Sequence, residues 1–253
     1  ESAKLGCSVA KNRLGKMFLQ GKDVPKNIDY ALRWLEESVS EDNEFAEYLL
    51  GKTYLKGEDV EQDLIRAEEL LRRSSAQGNR YAQYTLGKSL LDGELFLQNI
   101  PEAITLITES ADSGFAPAQY LLGKLLYNSE LMPQDLEKAI FYLEKSASQN
   151  NPYAAYLAGK IRLTEDIVRD VPCAIRNFEI AAENGNDFVE YMLGKLHLYG
   201  KEVECDYDRA IVYLTASAEH GNQYAQQLLH SIKANRNWSA HSARSACSDK
   251  SAV

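Results

Sequence analysis

The chain has 253 residues, of which 45% are hydrophobic, and it carries a formal net charge of -9 at pH 7. This hydrophobic fraction is sufficient for a continuous core, whereas the acidic charge argues against a general nucleic-acid-binding protein. No apolar run approaches the ~20 residues of a membrane-spanning helix and no secretory signal is visible, so the sequence predicts no membrane partner.

A Gly-Lys dipeptide recurs through the chain at a nearly constant interval. Its glycines are Gly15, Gly51, Gly87, Gly123, Gly159 and Gly194. The first four intervals are 36 residues and the last is 35 residues. A fixed period of this length is typical of stacked-repeat proteins, whose long and regular surfaces mostly bind other macromolecules.

Each repeat has the pattern of two helices joined by a turn. In the second repeat, Ala46 and Leu50 mark the buried face of a first helix, residues 57–60 form the turn, and Ala67 and Leu71 mark a second helix. The other repeats follow the same pattern. The sequence therefore predicts an all-α chain of about thirteen helices in antiparallel pairs.

Two further regularities predict where these helices begin and how they pack. An Asn or Asp recurs before every second helix, where its side chain is expected to cap the helix N-terminus. These residues are Asn27, Asp63, Asn99, Asp135, Asp170 and Asp206. The glycine of each Gly-Lys lies inside the first helix, where it costs about 1 kcal/mol relative to Ala. We therefore expect a close helix approach at that point, against the small residues Ala31, Ala67, Ala103, Ala139, Ala174 and Ala210.

The two ends of the chain depart from the repeat. Residues 1–9 align with the end of a second helix, so the sequence predicts that the chain opens inside a truncated repeat and is a fragment or processed form of a longer bacterial protein. The repeat array is predicted over residues 10–234 as one elongated domain. Residues 235–253 are rich in Ser and Ala, which predicts an irregular or disordered tail.

The repeat resembles a known family. Residues 46–57, followed by Ala67 and residues 74–79, look like the Sel-1-like repeat, a relative of the tetratricopeptide repeat with a slightly longer turn. The resemblance covers roughly residues 10–230 in six units in register. It implies a right-handed α/α superhelical solenoid that acts as an adaptor or scaffold. The fourth and fifth turns lose the usual glycines, and the fifth unit is one residue short.

The cysteines indicate a reducing environment. Cys7, Cys173, Cys205 and Cys247 share neither a repeat position nor the spacing of metal ligands. Some secreted members of the family that the chain resembles join each helix pair by a disulfide, which requires two cysteines per repeat. The sequence therefore predicts a cytoplasmic protein.

No pattern in the chain predicts catalysis. Residues 51–53 and 87–89 read as the end of a phosphate-binding loop, but Ala46 and Ala82 hold the place of its upstream glycine and both segments are helical. His197 occupies the core position of Tyr54, and no metal-ligand set surrounds it in the sequence. We therefore predict a non-enzyme that has no catalytic residue, no metal and no cofactor.

One face of each first helix carries more aromatic and basic residues than folding requires. Counted from the first Ala of each repeat as position 1, positions 0, 3, 7 and 11 share an arc about 80° wide. By analogy with the tetratricopeptide repeat, this arc is expected to line the concave face. Its first three positions, which we call the aromatic–lysine stripe, hold Phe45, Tyr48, Lys52, Tyr81, Tyr84, Lys88, Pro117, Tyr120, Lys124, Tyr153, Tyr156, Lys160, Phe188, Tyr191 and Lys195.

Two interpretations of the stripe remain open. Each Lys follows a Tyr by four residues, so it can lie over the ring as a local cation–π pair that serves packing alone. The alternative, which we favour, is a binding groove. Lys recurs at position 7 in every repeat, whereas position 11 of the same arc has diverged freely. This contrast indicates that the lysines share a function that other exposed positions do not have. Position 11 holds Lys56, Asp92, Asn128, Thr164 and Tyr199.

The stripe leads to two candidate functions. The first is a protein–protein interaction scaffold that binds an acidic or extended partner segment in its concave groove. The alternative is an accessory helical domain of a nucleic-acid-handling protein, because the chain is similar in style to Sel-1-like arrays attached to relaxase-type mobilisation proteins of Gram-positive bacteria. In that case, the Tyr rings would stack on bases and the Lys side chains would neutralise phosphates.

Overall fold

The computed structural model describes residues 7–128 and 130–234. Within these residues the chain is all-α, as predicted, and contains no β-strand. The thirteen helices of this part are α1 (Ser8–Gln20), α2 (Ile28–Val39), α3 (Glu44–Lys56), α4 (Leu64–Ala76), α5 (Arg80–Asp92), α6 (Ile100–Asp112), α7 (Ala116–Tyr127), α8 (Leu136–Ala147), α9 (Pro152–Thr164), α10 (Val171–Glu183), α11 (Asp187–Tyr199), α12 (Tyr207–Glu219) and α13 (Gln223–Ala234). None of them is long and apolar enough to cross a membrane.

The predicted ends of the chain fall mostly outside the described residues. Helix α1 begins at Ser8, two residues before the predicted start of the array. Residues 1–6 and the predicted tail at residues 235–253 lie beyond the part that the structure describes. Cys247 belongs to the second of these segments, so its environment is not described either.

The Asn and Asp residues cap the second helices as the sequence predicts. The side chain of each accepts a hydrogen bond from the backbone N–H three residues later. The pairs are Asn27 with Tyr30, Asp63 with Arg66, Asn99 with Glu102, Asp135 with Lys138, Asp170 with Cys173 and Asp206 with Arg209. An Asn or Asp at one repeat position therefore fixes the start of all six second helices.

The same cap residues also hold each turn against the preceding helix. The backbone N–H of Asn99 donates to the carbonyl of Leu90, and that of Asp206 donates to the carbonyl of His197, nine residues earlier in both cases. In the fifth repeat the bond runs from Asp170 to Arg162, eight residues earlier. The missing residue of the fifth repeat is thus located in this turn, where residues 166–168 form a single 3₁₀ turn.

The glycine inside each first helix marks a close contact with the second helix. A Cβ atom built on Gly87 would lie 3.1 Å from the carbonyl oxygen of Ala103, and one built on Gly123 would lie 3.0 Å from that of Ala139. The equivalent Ala carbonyl stands 3.0–3.3 Å away in all six repeats. The predicted close approach is confirmed, and it explains why a residue with low helix propensity recurs there.

A buried serine ties the two ends of the helix pair together in the first, second, third and sixth repeats. Ser74 Oγ donates to the carbonyl of Glu44 at 2.6 Å, and Ser110 Oγ donates to the carbonyl of Arg80 at 2.7 Å. Ser38 and Ser217 make the same bond in the first and sixth repeats. The end of the second helix therefore lies beside the start of the first, which makes each pair antiparallel. Ala181 takes this position in the fifth repeat.

The chain divides into two compact units. The boundary falls between Leu122 and Gly123, within α7; the described residues before it form unit 1 and those after it form unit 2. Unit 1 contains the helix pairs α1–α2, α3–α4 and α5–α6, and unit 2 contains the pairs α9–α10 and α11–α12. The single elongated domain over residues 10–234 stays a prediction.

Candidate partner-binding site

In unit 1 three tyrosines of the stripe belong to one cluster of aromatic rings. The Tyr48 and Tyr81 ring centroids lie 5.7 Å apart, although the two residues belong to different repeats. Phe115 packs edge-on against Tyr81 at 5.0 Å and against Tyr84 at 5.3 Å. Burial in this cluster raises the pKa of the Tyr84 hydroxyl. Phe45, at the first position of the stripe, remains 49% exposed.

The two lysines of the stripe in unit 1 have different surroundings. Lys52 is partly buried, donates to the Tyr48 hydroxyl at 3.1 Å, and holds its ammonium 5.5 Å from the centre of the same ring. Lys88 is exposed and forms no ion pair with any residue of the described chain. The local cation–π pair is therefore present in the second repeat, whereas Lys88 leaves a positive charge open to a partner. Tyr120 lies partly buried at the end of this unit.

In unit 2 the stripe is more exposed. Tyr153 is 65% exposed and Phe188 is 50% exposed. Tyr156 contacts Phe188 at 5.9 Å edge-on, so two neighbouring repeats again share an aromatic surface. Tyr191 approaches Tyr224 of α13 at 6.1 Å.

The lysines of unit 2 stand on the exposed side of the first helices. Lys124, Lys160 and Lys195 are all exposed. The ammonium of Lys195 lies 5.3 Å from the centre of the Tyr191 ring, whereas Lys124 and Lys160 form no ion pair among residues 7–128 and 130–234. A carboxylate at their surface would therefore meet an ammonium that is not already neutralised.

An open cavity lies along the exposed face of α11. Its volume is about 580 Å³, which is within the ~300–1,000 Å³ range of small-molecule pockets. Three stripe residues line it, and four other residues complete its wall. The lining consists of Phe188, Tyr191, Lys195, Met192, Leu196, Tyr199 and Lys201.

Some members of this surface are absent from the sequence-based prediction. Tyr224 lies one period after Phe188, so extension of the stripe into α13 would have found it. Phe115 had no such signal, because the equivalent positions in the preceding repeats hold the cap residues Asn43 and Asn79. Tyr199 stands at the diverged position 11, which carries no shared signal, yet it lines the cavity with Lys201.

His197, which the sequence places at a core position, and His220 both contact other side chains of the fold. His197 is buried and stacks on Tyr213 at 5.9 Å, and neither ring nitrogen has a hydrogen-bond partner among the described residues. Burial, and to a smaller extent the charge of Arg209, lowers the pKa of its imidazole. His220 contacts the buried carboxylate of Glu190 at 2.8 Å. The described residues contain no group of three side chains that would hold a metal ion.

The family of the chain follows from its repeats. The Sel1 repeat model matches residues 8–43, 45–79, 80–115, 116–151, 152–186 and 189–222, which is well over half of the sequence. The chain belongs to the Sel1 repeat family. Sel1 repeat proteins generally act as protein–protein interaction scaffolds, and the family is not a catalytic one.

Two crystal structures share the fold of this Sel1 repeat chain. One is c5321, a protective antigen of uropathogenic Escherichia coli strains, with 24% identity, a TM-score of 0.85 and alignment over 94% of this chain and 51% of that one. The other is a Sel1 repeat protein from Oxalobacter formigenes, with 26% identity, a TM-score of 0.74 and coverage of 91% and 67%. The chain thus spans about half the length of the first structure. No curated protein sequence matches it.

Proposed function

We propose that the chain is a protein-interaction scaffold that binds a partner segment along the aromatic–lysine stripe. The observation that carries this proposal is the combination of ring contacts between neighbouring repeats with lysines that have no acidic partner. Tyr48 with Tyr81, and Tyr156 with Phe188, make each aromatic surface continuous over two repeats. Packing alone does not require Lys88 or Lys160 at these places, because both ammonium groups are left unpaired among the described residues.

The repeat spacing suits an extended or helical protein segment. First helices of neighbouring repeats are expected to stack at about 8–10 Å, the usual helix packing distance. An extended peptide advances about 3.3 Å per residue, so one repeat matches about three residues of the ligand. Partner segments with acidic groups at this interval would place one carboxylate near each lysine. The aromatic rings supply most of the affinity, as interface anchors usually do, while the flexible lysines mainly accelerate association.

A charge-reversal experiment tests this proposal. The triple variant Lys88→Glu, Lys124→Glu and Lys160→Glu is compared with wild-type protein in capture experiments from the source cell, followed by affinity measurements on each identified partner. The matched control replaces Lys22, Lys145 and Lys233 by Glu. These three lysines are exposed and lie outside the stripe, so that the control changes the net charge by the same amount.

The expected result is that the stripe variant loses its partners by at least about tenfold in affinity, while the control variant keeps them. Unchanged affinity of every partner for the stripe variant would refute the proposal. Salt-dependent binding of a single-stranded DNA oligonucleotide that the stripe variant loses would favour the nucleic-acid alternative instead. The net charge of -9 supports the protein ligand.

We also propose that the protein works in the reducing cytoplasm. Cys7 and Cys173 are free thiols in the structure, and the scattered positions of the cysteines in the sequence fit no disulfide framework. Fractionation of the source cell should recover the protein with cytoplasmic markers. Recovery from a secreted or envelope fraction would contradict this assignment.

A further inference from the structure

The sixth repeat differs from the others at one position of the exposed arc. Position 11 holds Lys56, Asp92, Asn128 and Thr164 in the second to fifth repeats, but it holds Tyr199 in the sixth. Tyr199 is 45% exposed at the end of α11. The sixth repeat therefore has aromatic side chains at three positions of the arc, where the second to fifth repeats have two or one.

This extra ring lines a cavity on the exposed face of α11. Phe188, Tyr191 and Tyr199 follow one another at helical spacing along α11, with Met192 and Leu196 between them. Together they leave about 580 Å³ of space. An aromatic and aliphatic lining that includes a polarisable Met side chain favours a large apolar group. The volume is ample for an indole or phenyl ring together with the adjoining backbone.

Two ammonium groups stand at the rim of this cavity. Lys195 and Lys201 both line it, and both are exposed. Neither forms an ion pair with a described residue. The neighbouring carboxylate of Glu202 is bound to Arg169 instead. The rim is thus positive and the interior apolar, which is complementary to an acidic segment that carries one large apolar side chain.

We propose that the α11 cavity is the anchor site for a partner segment in which a Trp, Phe or Tyr side chain is flanked by Asp or Glu. The aromatic side chain enters between Phe188 and Tyr199, and the flanking carboxylates meet Lys195 and Lys201. This inference rests on the proposed function, because it assigns the ligand class of one part of the same surface. Its consequence is a fixed register, since among the six repeats that the structure describes the sixth alone has a third aromatic ring on the arc.

Fluorescence anisotropy with three labelled peptides of about fifteen residues tests the anchor. The first carries a central Trp flanked by two Glu on each side in a Gly/Ser background. The second replaces the Trp by Ala, and the third replaces the Glu by Gln. Wild-type protein should bind the first peptide about tenfold more tightly than the second and several-fold more tightly than the third. Equal affinities for the first two peptides, or no binding of any, would overturn the proposal.

Protein variants test whether the α11 cavity causes these peptide preferences. Tyr199→Thr, which restores the residue type of the fifth repeat, should abolish the discrimination between Trp and Ala. The double variant Lys195→Gln and Lys201→Gln should abolish that between Glu and Gln. The matched controls are Phe141→Ala and Lys145→Gln, because this exposed Phe and Lys form a similar pair at 4.2 Å on α8. The control variants should retain both peptide preferences. If they lose the preference for Trp as completely as Tyr199→Thr does, the anchor site is not in the α11 cavity.

A failure of the anchor proposal can be distinguished from a failure of the stripe proposal. If the Lys88, Lys124 and Lys160 variant loses its cellular partners while Tyr199→Thr keeps the peptide preferences, the stripe is a binding surface and the anchor site is wrong. If the peptide discrimination depends on Tyr199 but the triple lysine variant keeps all partners, the anchor stands alone and the scaffold proposal fails.

Discussion

At the scale of the single residue, the glycine and the lysine of each Gly-Lys pair have opposite roles. Gly87 faces the carbonyl of Ala103 and the side chain of Ile107, so that a larger residue must displace the second helix. Lys88, one residue later, points away from that contact and is exposed. The repeated dipeptide therefore joins one residue required for packing to one available for a ligand.

We expect Gly87→Leu to lower the free energy of unfolding by about 1–3 kcal/mol or more, because overpacking at a helix contact outweighs the gain in helix propensity. Lys88→Ala should change it by less than about 0.5 kcal/mol, as is usual for exposed positions. Urea unfolding followed by circular dichroism measures both. If the two variants are equally damaging, the assignment of buried and open faces is incorrect.

A second prediction for a single residue concerns the buried His197. Leu90 and Leu126 occupy the equivalent core position in the third and fourth repeats. His197→Leu should therefore fit, and it should stabilise unit 2 by about 1–3 kcal/mol, because it removes two buried nitrogens without hydrogen bonds.

This gain should depend on pH. The folded pKa of His197 lies below its usual value of 6.5, so the unfolded chain binds a proton first as the pH falls. The contribution of His197 to the free energy of unfolding is fully present above pH 6.5, and it is lost as the pH falls through the lowered pKa of the folded state. Unfolding at about pH 8 and about pH 5 should show the larger benefit of His197→Leu at the acidic value. A benefit independent of pH would mean that His197 finds a partner in solution.

At the scale of the element, the cap residues determine where the second helices begin. Asn99 caps α6 with its side chain and fixes the turn with its backbone. We expect Asn99→Ala to cost about 1 kcal/mol, because the side-chain bonds are lost while the backbone bond of the turn remains. Asn99→Asp should cost less than Asn99→Ala, since a carboxylate still caps the helix, although it loses the hydrogen bond that the Asn99 amide donates to Glu102 at 2.8 Å. Thermal unfolding measures the difference, and equal losses for both variants would show that the cap contributes nothing.

The helices could be predicted from the sequence because their signals repeat. Six caps and six glycine contacts at one period gave the start and the packing side of every second helix. The cavity on α11 could not be predicted in this way, because Tyr199 and Lys201 interrupt the repeat rather than follow it. The position of Phe115 between Tyr81 and Tyr84 depends on side-chain directions across two helices, which periodicity does not encode. The periodic pattern therefore predicts the features that all repeats share, but it does not predict the features of a single repeat.

At the scale of the whole molecule, the structure consists of two compact units built from one kind of repeat. Stability in such arrays is approximately a sum over repeats and their nearest neighbours, so a local defect should open the chain locally. We expect Gly194→Leu to reduce amide hydrogen-exchange protection mainly in α11 and α12. Gly15→Leu should do the same in α1 and α2. Mass spectrometry of exchanged peptides resolves the two regions, and a uniform loss of protection would indicate a single cooperative unit.

The serine bonds within the helix pairs have a consequence for how the chain folds. Each of those described joins residues 30 positions apart, as in Ser74 to Glu44, and the cap amides reach back only eight or nine residues. Interactions of such short range give a low contact order, which is associated with rapid folding. During synthesis, a helix pair can close as soon as its second helix has left the ribosome, before the next repeat has been translated.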